Sequence, residues 1–200
     1  MKSKSTLLLF FVLVINPSWV LGQKGYQDGY IITNGGDTLT GLVKDRKPPP
    51  FGKIYKKIYF KKPKSGRKKY GPNQIKGYRM GSTEFESLWL EDSYEFFQQK
   101  YTSIPNRGEQ QFLKVIVRGY LSYYQLEYMD SESDNIDVVP LFKRSDESSL
   151  VRVTQGIFGL KKKKLSAYFE DCPRLVDKII AGEIKDPVEI AYYYNHFKEN

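Results

Sequence analysis

The chain holds a single cysteine, Cys172, and a single histidine, His196, so any thiol–imidazole nucleophile must use both. Cys172 precedes Pro173 at the expected start of a helix, a position that favours a thiolate. His196 stands four residues from the C-terminus, where fraying is expected and a base that needs rigid placement is poorly held. A buried structural cysteine beside a surface histidine is the simpler assignment, because free cysteines are among the most buried residue types. Glu84 and Glu86 share one face of an extended segment, the arrangement used for glycoside hydrolysis. A solvated strand face accounts for them with fewer demands, since acid–base work also needs environments that drive the two carboxyls apart. Asp130, Glu132, Asp134 and Asp137 alternate like calcium ligands. Counted from Asp130, however, the sixth loop position is Asn135 rather than glycine and the twelfth is Leu141 rather than glutamate, so a polar loop is favoured. Nucleophile elbows, phosphate loops, dinucleotide glycine patterns and clusters of zinc ligands are all missing from the sequence. The expectation is a protein that is not an enzyme and takes no metal or cofactor.

The unusual chemistry lies in the charge. The net charge is +9, but between Lys44 and Arg79 fourteen Lys and Arg face one acid, Asp45, whereas from Met80 to Leu150 thirteen acids face six bases. Inside the basic block, a strand over Lys53–Lys61 would place Ile54, Lys56, Ile58 and Phe60 on one face and Tyr55, Lys57, Tyr59 and Lys61 on the other. Alternating phenol rings and ammonium groups can stack on flat groups and neutralise phosphates together. Arg67, Lys68 and Lys69, expected in the turn after Ser65-Gly66, extend that surface. The candidate partner-binding set is therefore Tyr55, Lys57, Tyr59, Lys61, Arg67, Lys68 and Lys69. Its expected partner is an anionic polymer, lipopolysaccharide headgroups or an acidic envelope protein. The competing account is that lysine blunts an edge strand while the acidic half pairs with the basic half. A second basic run, Lys161 to Lys164, would wrap most of a helical turn, cannot form one flat stripe, and is expected to be a solvated face. The 16 tyrosines invite sugar stacking, but alternation sends Tyr120, Tyr124 and Tyr128 to the core.

The elements that must position these groups change character along the chain. From Gly29 to Val153, short apolar or alternating runs separated by Gly, Pro, Asn and Ser read as antiparallel strands. Tyr30–Thr33 and Thr38–Val43 flank Asn34-Gly35-Gly36-Asp37 and form the first hairpin. Further strands are expected at Ile75–Met80 and Thr83–Glu91. Leu113–Val117 and Tyr120–Tyr128 should form a hairpin turning on Arg118-Gly119, with Val117 opposite Tyr120, Val115 opposite Ser122 and Leu113 opposite Tyr124. Pro140 within Ile136–Phe142 points to an edge strand or a bend. Ser149–Thr154 supplies a last strand. Helical spacing then links Leu165, Tyr168, Phe169 and Cys172, and next Leu175, Val176, Ile179 and Ile180, ahead of Gly182. Asp186-Pro187-Val188-Glu189 reads as a cap, a first-turn proline and a capping-box glutamate that open a helix toward Phe197. The expected fold is α+β: a twisted antiparallel β-sheet, open or curled into a barrel-like half-shell, followed by two or three C-terminal helices.

Residues 1–22 read as a secretory signal peptide: Lys2 and Lys4 precede the apolar run Leu7–Ile15, and Val20 and Gly22 occupy the small-residue positions before the cut. Nine apolar residues are too few to span a bilayer as a helix, so no integral membrane span is expected after cleavage. Residues 23–156 would then form the β domain and residues 157–200 a helical segment packed on it. One cysteine excludes an intramolecular disulfide, and the only Asn-x-Ser/Thr triplet, at Asn16, is disqualified by Pro17. Secretion without disulfides fits a bacterial envelope, either periplasmic or extracellular.

Gly29-Tyr30-Ile31-Ile32 through Gly36-Asp37-Thr38-Leu39-Thr40-Gly41, Ile58-Tyr59-Phe60, and Tyr70-Gly71-Pro72-Asn73-Gln74-Ile75-Lys76-Gly77-Tyr78 resemble segments of uncharacterised exported proteins of Bacteroidota. So does Leu165-Ser166-Ala167-Tyr168-Phe169-Glu170-Asp171-Cys172-Pro173. The resemblance implies a Gram-negative envelope location and brings no activity and no functional residue. The expected function is that of a non-catalytic exported binding protein with a basic, Tyr/Lys-alternating strand surface. The alternatives are a structural component of an envelope assembly and, third, a cysteine-dependent enzyme.

Overall fold

The computed structural model describes residues 25–46, 56–63, 65–95, 98–129, 135–155 and 158–199. The signal peptide, Tyr55 and the acidic residues Asp130, Glu132 and Asp134 lie outside them. Eleven strands build one antiparallel sheet: β1 (Gln27–Thr33), β2 (Thr38–Lys44), β3 (Ile58–Lys61), β4 (Arg67–Tyr70), β5 (Ile75–Met80), β6 (Thr83–Glu95), β7 (Gln98–Thr102), β8 (Glu109–Val117), β9 (Leu121–Met129), β10 (Ile136–Arg144) and β11 (Ser149–Arg152). Three helices follow, α1 (Lys162–Tyr168), α2 (Pro173–Ala181) and α3 (Pro187–Glu199). The strand order is β4-β3-β2-β1-β5-β6-β7-β11-β10-β9-β8, and β8 returns to pair with β6. The fold is thus α+β, with a closed six-stranded barrel from which five strands extend. β6 makes both arrangements possible by its length. Its first part, Thr83–Glu86, pairs with β5; Glu84–Leu90 pairs with β8; and Glu91–Glu95 pairs with β7.

Three apolar clusters follow from this topology. Leu113, Tyr124, Leu141 and Leu150 fill the barrel interior with Leu90, Tyr101 and Val139. Neighbouring residues of the same strands, Tyr123, Phe142 and Val151, point outward and are covered by Leu165, Phe169, Leu175, Ile179, Ile190 and Tyr194 of the helices and their connections. Over Leu121–Tyr124 of β9 and Val139–Phe142 of β10 both faces are therefore buried, one by the barrel and one by helices too short to be stable alone. The extension has its own core: Ile31, Val43, Ile58, Phe60, Ile75, Tyr78 and Phe85 close over Phe112 of β8. Tyr78 stacks on Phe85 at 4.6 Å and meets Phe112 edge-on at 4.9 Å. Arg46 fastens this extension to the barrel. Its buried guanidinium binds Glu127 at 2.6 Å, contacts Asp45 and lies 4.9 Å from the Phe85 ring, while Tyr78 donates to Asp45.

The first hairpin matches the sequence expectation, with Ile31 opposite Leu39 and a turn closed by Thr33 N–H on Asp37 O at 2.9 Å. Gly36 supplies the positive φ, 99°, that this turn requires. The α3 cap also matches, since Asp186 Oδ1 accepts from Val188 N–H at 2.9 Å. Three local expectations fail. The β8–β9 register is Val115 opposite Tyr124 and Val117 opposite Tyr123, with an irregularity between Val115 and Val117. Leu121, left without a β8 partner, gives its N–H to Asn195 Oδ1 at 2.7 Å and receives Asn195 Nδ2 on its carbonyl at 3.0 Å. A helix side chain thus takes the place of a strand residue, and a Cβ at Gly119 would collide with that amide. Pro140 is not on an edge strand, because β10 lies between β9 and β11. The β10–β11 ladder is short and begins at Leu141; Pro140 only accepts there, from Val153 N–H at 3.0 Å, so the ladder loses nothing to its missing N–H. Tyr124 is core, but Tyr120 is half-buried and Tyr128 is exposed.

Candidate functional site

β3 alternates as its residue types require: Ile58 and Phe60 are buried, and Tyr59 and Lys61 project from the opposite face. Lys57, immediately before the strand, is exposed. Arg67, Lys68 and Lys69 are not in a turn, contrary to expectation. They form β4, the terminal strand of the sheet, paired Tyr59 to Lys69, Phe60 to Lys68 and Lys61 to Arg67. A strand with three consecutive cations has no apolar alternation to announce it, and an edge is where such a strand is tolerated. Pairing sorts the candidate residues. Lys57, Tyr59, Lys61, Arg67 and Lys69 share the outer face, whereas Lys68 lies on the face of Phe60 and Tyr70, its ammonium 5.5 Å from the Tyr70 ring.

Two cross-strand rows give the outer face its geometry. Lys44 of β2, Tyr59 and Lys69 form one row; Leu42, Lys61 and Arg67 form the next. The Tyr59 ring is flanked by the two outer-face cations of β4, with Arg67 Cζ 4.8 Å and Lys69 Nζ 5.2 Å from its centroid. Such contacts hold cations on an aromatic surface without removing their charge. A groove of about 620 Å³ continues from Lys61, Lys62 and Pro63 across Leu42, Gly41 and Thr40 to Gly29 and Asp28. Asp28 is the acid bordering it, two strands from Lys61. The direct opposition of Lys61 and Arg67 is repulsive by about 0.7 kcal/mol at some 6 Å in water, too little to break the hairpin.

The competing account, in which the acidic half neutralises the basic half, holds for particular residues. Lys56 pairs with Glu109 and Arg46 with Glu127. Hydrogen bonding to Lys56 holds the Glu109 carboxyl below its usual range. Among the described residues, however, Lys57, Lys61, Arg67, Lys68 and Lys69 form no ion pair. The neutralisation stops short of the hairpin.

The other chemical candidates fall elsewhere. Glu84 and Glu86 do share a face and both approach Arg118, at 3.9 and 2.9 Å. Tyr30 donates to Glu84 at 2.8 Å and Tyr124 to Glu86 at 3.0 Å, so the pair is fixed within a hydrogen-bonded cluster. Among the described residues no group of three or more His, Cys, Asp or Glu could hold a metal ion. Cys172 and His196 border one cleft of about 760 Å³ together with Pro173, Arg174, Tyr193 and Phe197. α3 runs on to Glu199, and on either side of His196 Asn195 and Lys198 hold it to Leu121 and, at 2.7 Å, to Asp171. Cys172 is only 2% exposed. Sequence reasoning treated Lys161–Lys164 as a solvated face, yet all four border a single cleft with Lys100 of β7. Lys161 precedes the helix rather than joining its turn, which is what lets the run line a concavity.

No helix among the described residues is long and apolar enough to cross a membrane. Comparison with protein-family models, with curated proteins and with solved structures finds no match to this chain.

Proposed function

We propose that the protein is an exported, non-catalytic binding protein of a Gram-negative envelope, and that the outer face of the β3–β4 hairpin docks a partner carrying closely spaced phosphate or sulfate groups. An anionic polymer and lipopolysaccharide headgroups share this chemistry. The observation that carries the reading is the row of cations at Lys57, Lys61, Arg67 and Lys69, which stand around Tyr59 without ion-pair partners among the described residues. Each can be desolvated against an oxyanion without first breaking an internal salt bridge, and Tyr59 gives the partner a flat apolar contact between charges. The test is retention on immobilised heparin and on lipopolysaccharide. Retention should weaken as salt rises and weaken further in Lys57→Glu with Lys61→Glu. Undiminished retention of that variant would remove the hairpin as the docking surface.

The second reading, a structural component making protein contacts in an envelope assembly, is favoured by a different observation. Ile136 and Val138 share a face of β10 and are about half exposed, and Tyr94 is largely exposed. Apolar side chains left in water on one strand are a surface suited to another protein. Crosslinking in an envelope preparation separates the two. A stoichiometric protein partner lost on Ile136→Ser with Val138→Ser supports assembly, whereas an unaltered monomer speaks against it. The third reading, a cysteine-dependent enzyme, draws on the shared cleft of Cys172 and His196 and requires a thiol that reacts in the folded protein.

A further inference from the structure

The second basic run has no part in the hairpin. α1 begins at Lys162, and the residues just before it lie against those just past β11, with Thr154 bridged to Leu160 and Lys161 N–H bound to Val153 O at 2.9 Å. This connection brings Lys161, Lys162, Lys163 and Lys164 to the wall of a cleft of about 890 Å³, completed by Lys100, Gln155, Leu160 and Ala167. Phe158 borders it with 76% of its surface in water. Among the described residues that border the cleft none is acidic.

Two of the charges there are drier than a solvated face requires. Lys161 and Lys164 are half-buried. Burial, followed by repulsion from Lys161, Lys100 and Arg152, pushes the Lys164 ammonium below its ordinary range. Burial and Arg152 do the same to Lys161. Arg152, outside the lining, adds to the positive charge felt by both lysines, and its Nε is buried without a hydrogen-bond partner. Lys162 is the member with a structural role, donating to Ile180 O of α2 at 2.9 Å. A concavity that gathers cations, partly desolvates two of them and has no carboxylate among its described lining residues is stabilised by an anion rather than by water.

We propose that this cleft is a second anion site, separate from the hairpin, which takes a phosphate-bearing group between Lys161 and Lys164 with Phe158 against whatever the phosphate is attached to. A free phosphate compound and a phosphorylated lipid headgroup present the same chemistry. Losing one charge-assisted contact should weaken binding about tenfold or more.

The test follows the thermal midpoint of the full mature chain in sodium pyrophosphate against sodium chloride at equal ionic strength. Pyrophosphate should raise the wild-type midpoint with saturation. Lys57→Glu with Lys61→Glu, which removes the hairpin surface, should keep a response, and adding Lys161→Ala with Lys164→Ala to that variant should abolish it, which separates this site from the hairpin. If this combined cleft variant does not fold, Lys164→Gln added to the hairpin variant instead, titrated by calorimetry with pyrophosphate, should bind about tenfold more weakly or worse. A wild-type midpoint no higher in pyrophosphate than in chloride overturns the proposal, as does a folded cleft variant that responds like the hairpin variant. Flotation with phosphatidylcholine vesicles, with and without phosphatidic acid, then assigns the source. Binding kept by the hairpin variant and abolished in the cleft variant makes it a lipid headgroup, and pyrophosphate binding without flotation makes it a soluble phosphate compound.

Discussion

Replacing Asn195 by leucine tests how the helices are held on the barrel. The amide makes two bonds to the Leu121 backbone, at 2.7 and 3.0 Å, in a buried setting. Leucine has nearly the same volume, so the change removes both partners while leaving little cavity. A buried backbone group stranded in this way costs about 1–3 kcal/mol. Two such groups, offset by the added apolar burial, give a loss of about 3 kcal/mol. For a chain of this size that lowers the thermal midpoint by about 6–12 °C. Tyr192, exposed on the same helix, is the control, and Tyr192→Ala should cost no more than about 0.5 kcal/mol. Urea unfolding followed by far-UV circular dichroism and by tyrosine fluorescence gives both values. An Asn195→Leu protein no less stable than Tyr192→Ala would refute the idea that this amide substitutes for the missing β8 pairing and docks α3.

Two further outcomes are expected. The phenols of Tyr124, Tyr168 and Tyr194 are pushed above the ordinary value of 10, in each case chiefly by burial. The folded state therefore keeps protons that the unfolded state releases, so stability is intact below pH 10 and falls as pH rises above it. Phenolate absorbance should accordingly lag behind that of free tyrosine until the chain unfolds; coincident titration would contradict the burial argument. Cys172 should react with a disulfide reagent on the order of 10³-fold more slowly in the native than in the denatured protein, because its thiol is reached only by local opening. Equal rates would restore the nucleophile reading for the cleft it shares with His196.

Much of this molecule is readable from residue order, and the failures have physical causes. Ile58 and Phe60 against Tyr59 and Lys61 is a period-two pattern with one face that must be buried, and β3 obeys it. β4 has no such pattern, since Arg67, Lys68 and Lys69 are cationic on both faces, and only pairing with β3 reveals which of them join the site. The β8–β9 register misleads because the partner of Leu121 is an asparagine 74 residues later, which no local rule can supply. Alternation assigns Tyr120 and Tyr128 to the core as confidently as Tyr124, but only Tyr124 lies deep in the barrel. Closure itself depends on β6 running far enough to serve β5, β8 and β7 in turn, a property of length rather than composition. The cleft of Lys100 and Lys161–Lys164 was hidden because its members come from β7 and from a run whose first lysine lies outside the helix.

The most direct measurement of the central claim is the salt dependence of heparin binding, compared between the wild type and Lys61→Gln with Lys69→Gln. Four cations engaging a single-stranded polyanion imply a slope of about −3 in log affinity against log salt, and removal of two should bring it to about −1.5. That halving is the result expected if the outer face of β3 and β4 is where the partner sits. A slope unchanged by the double substitution would contradict the account.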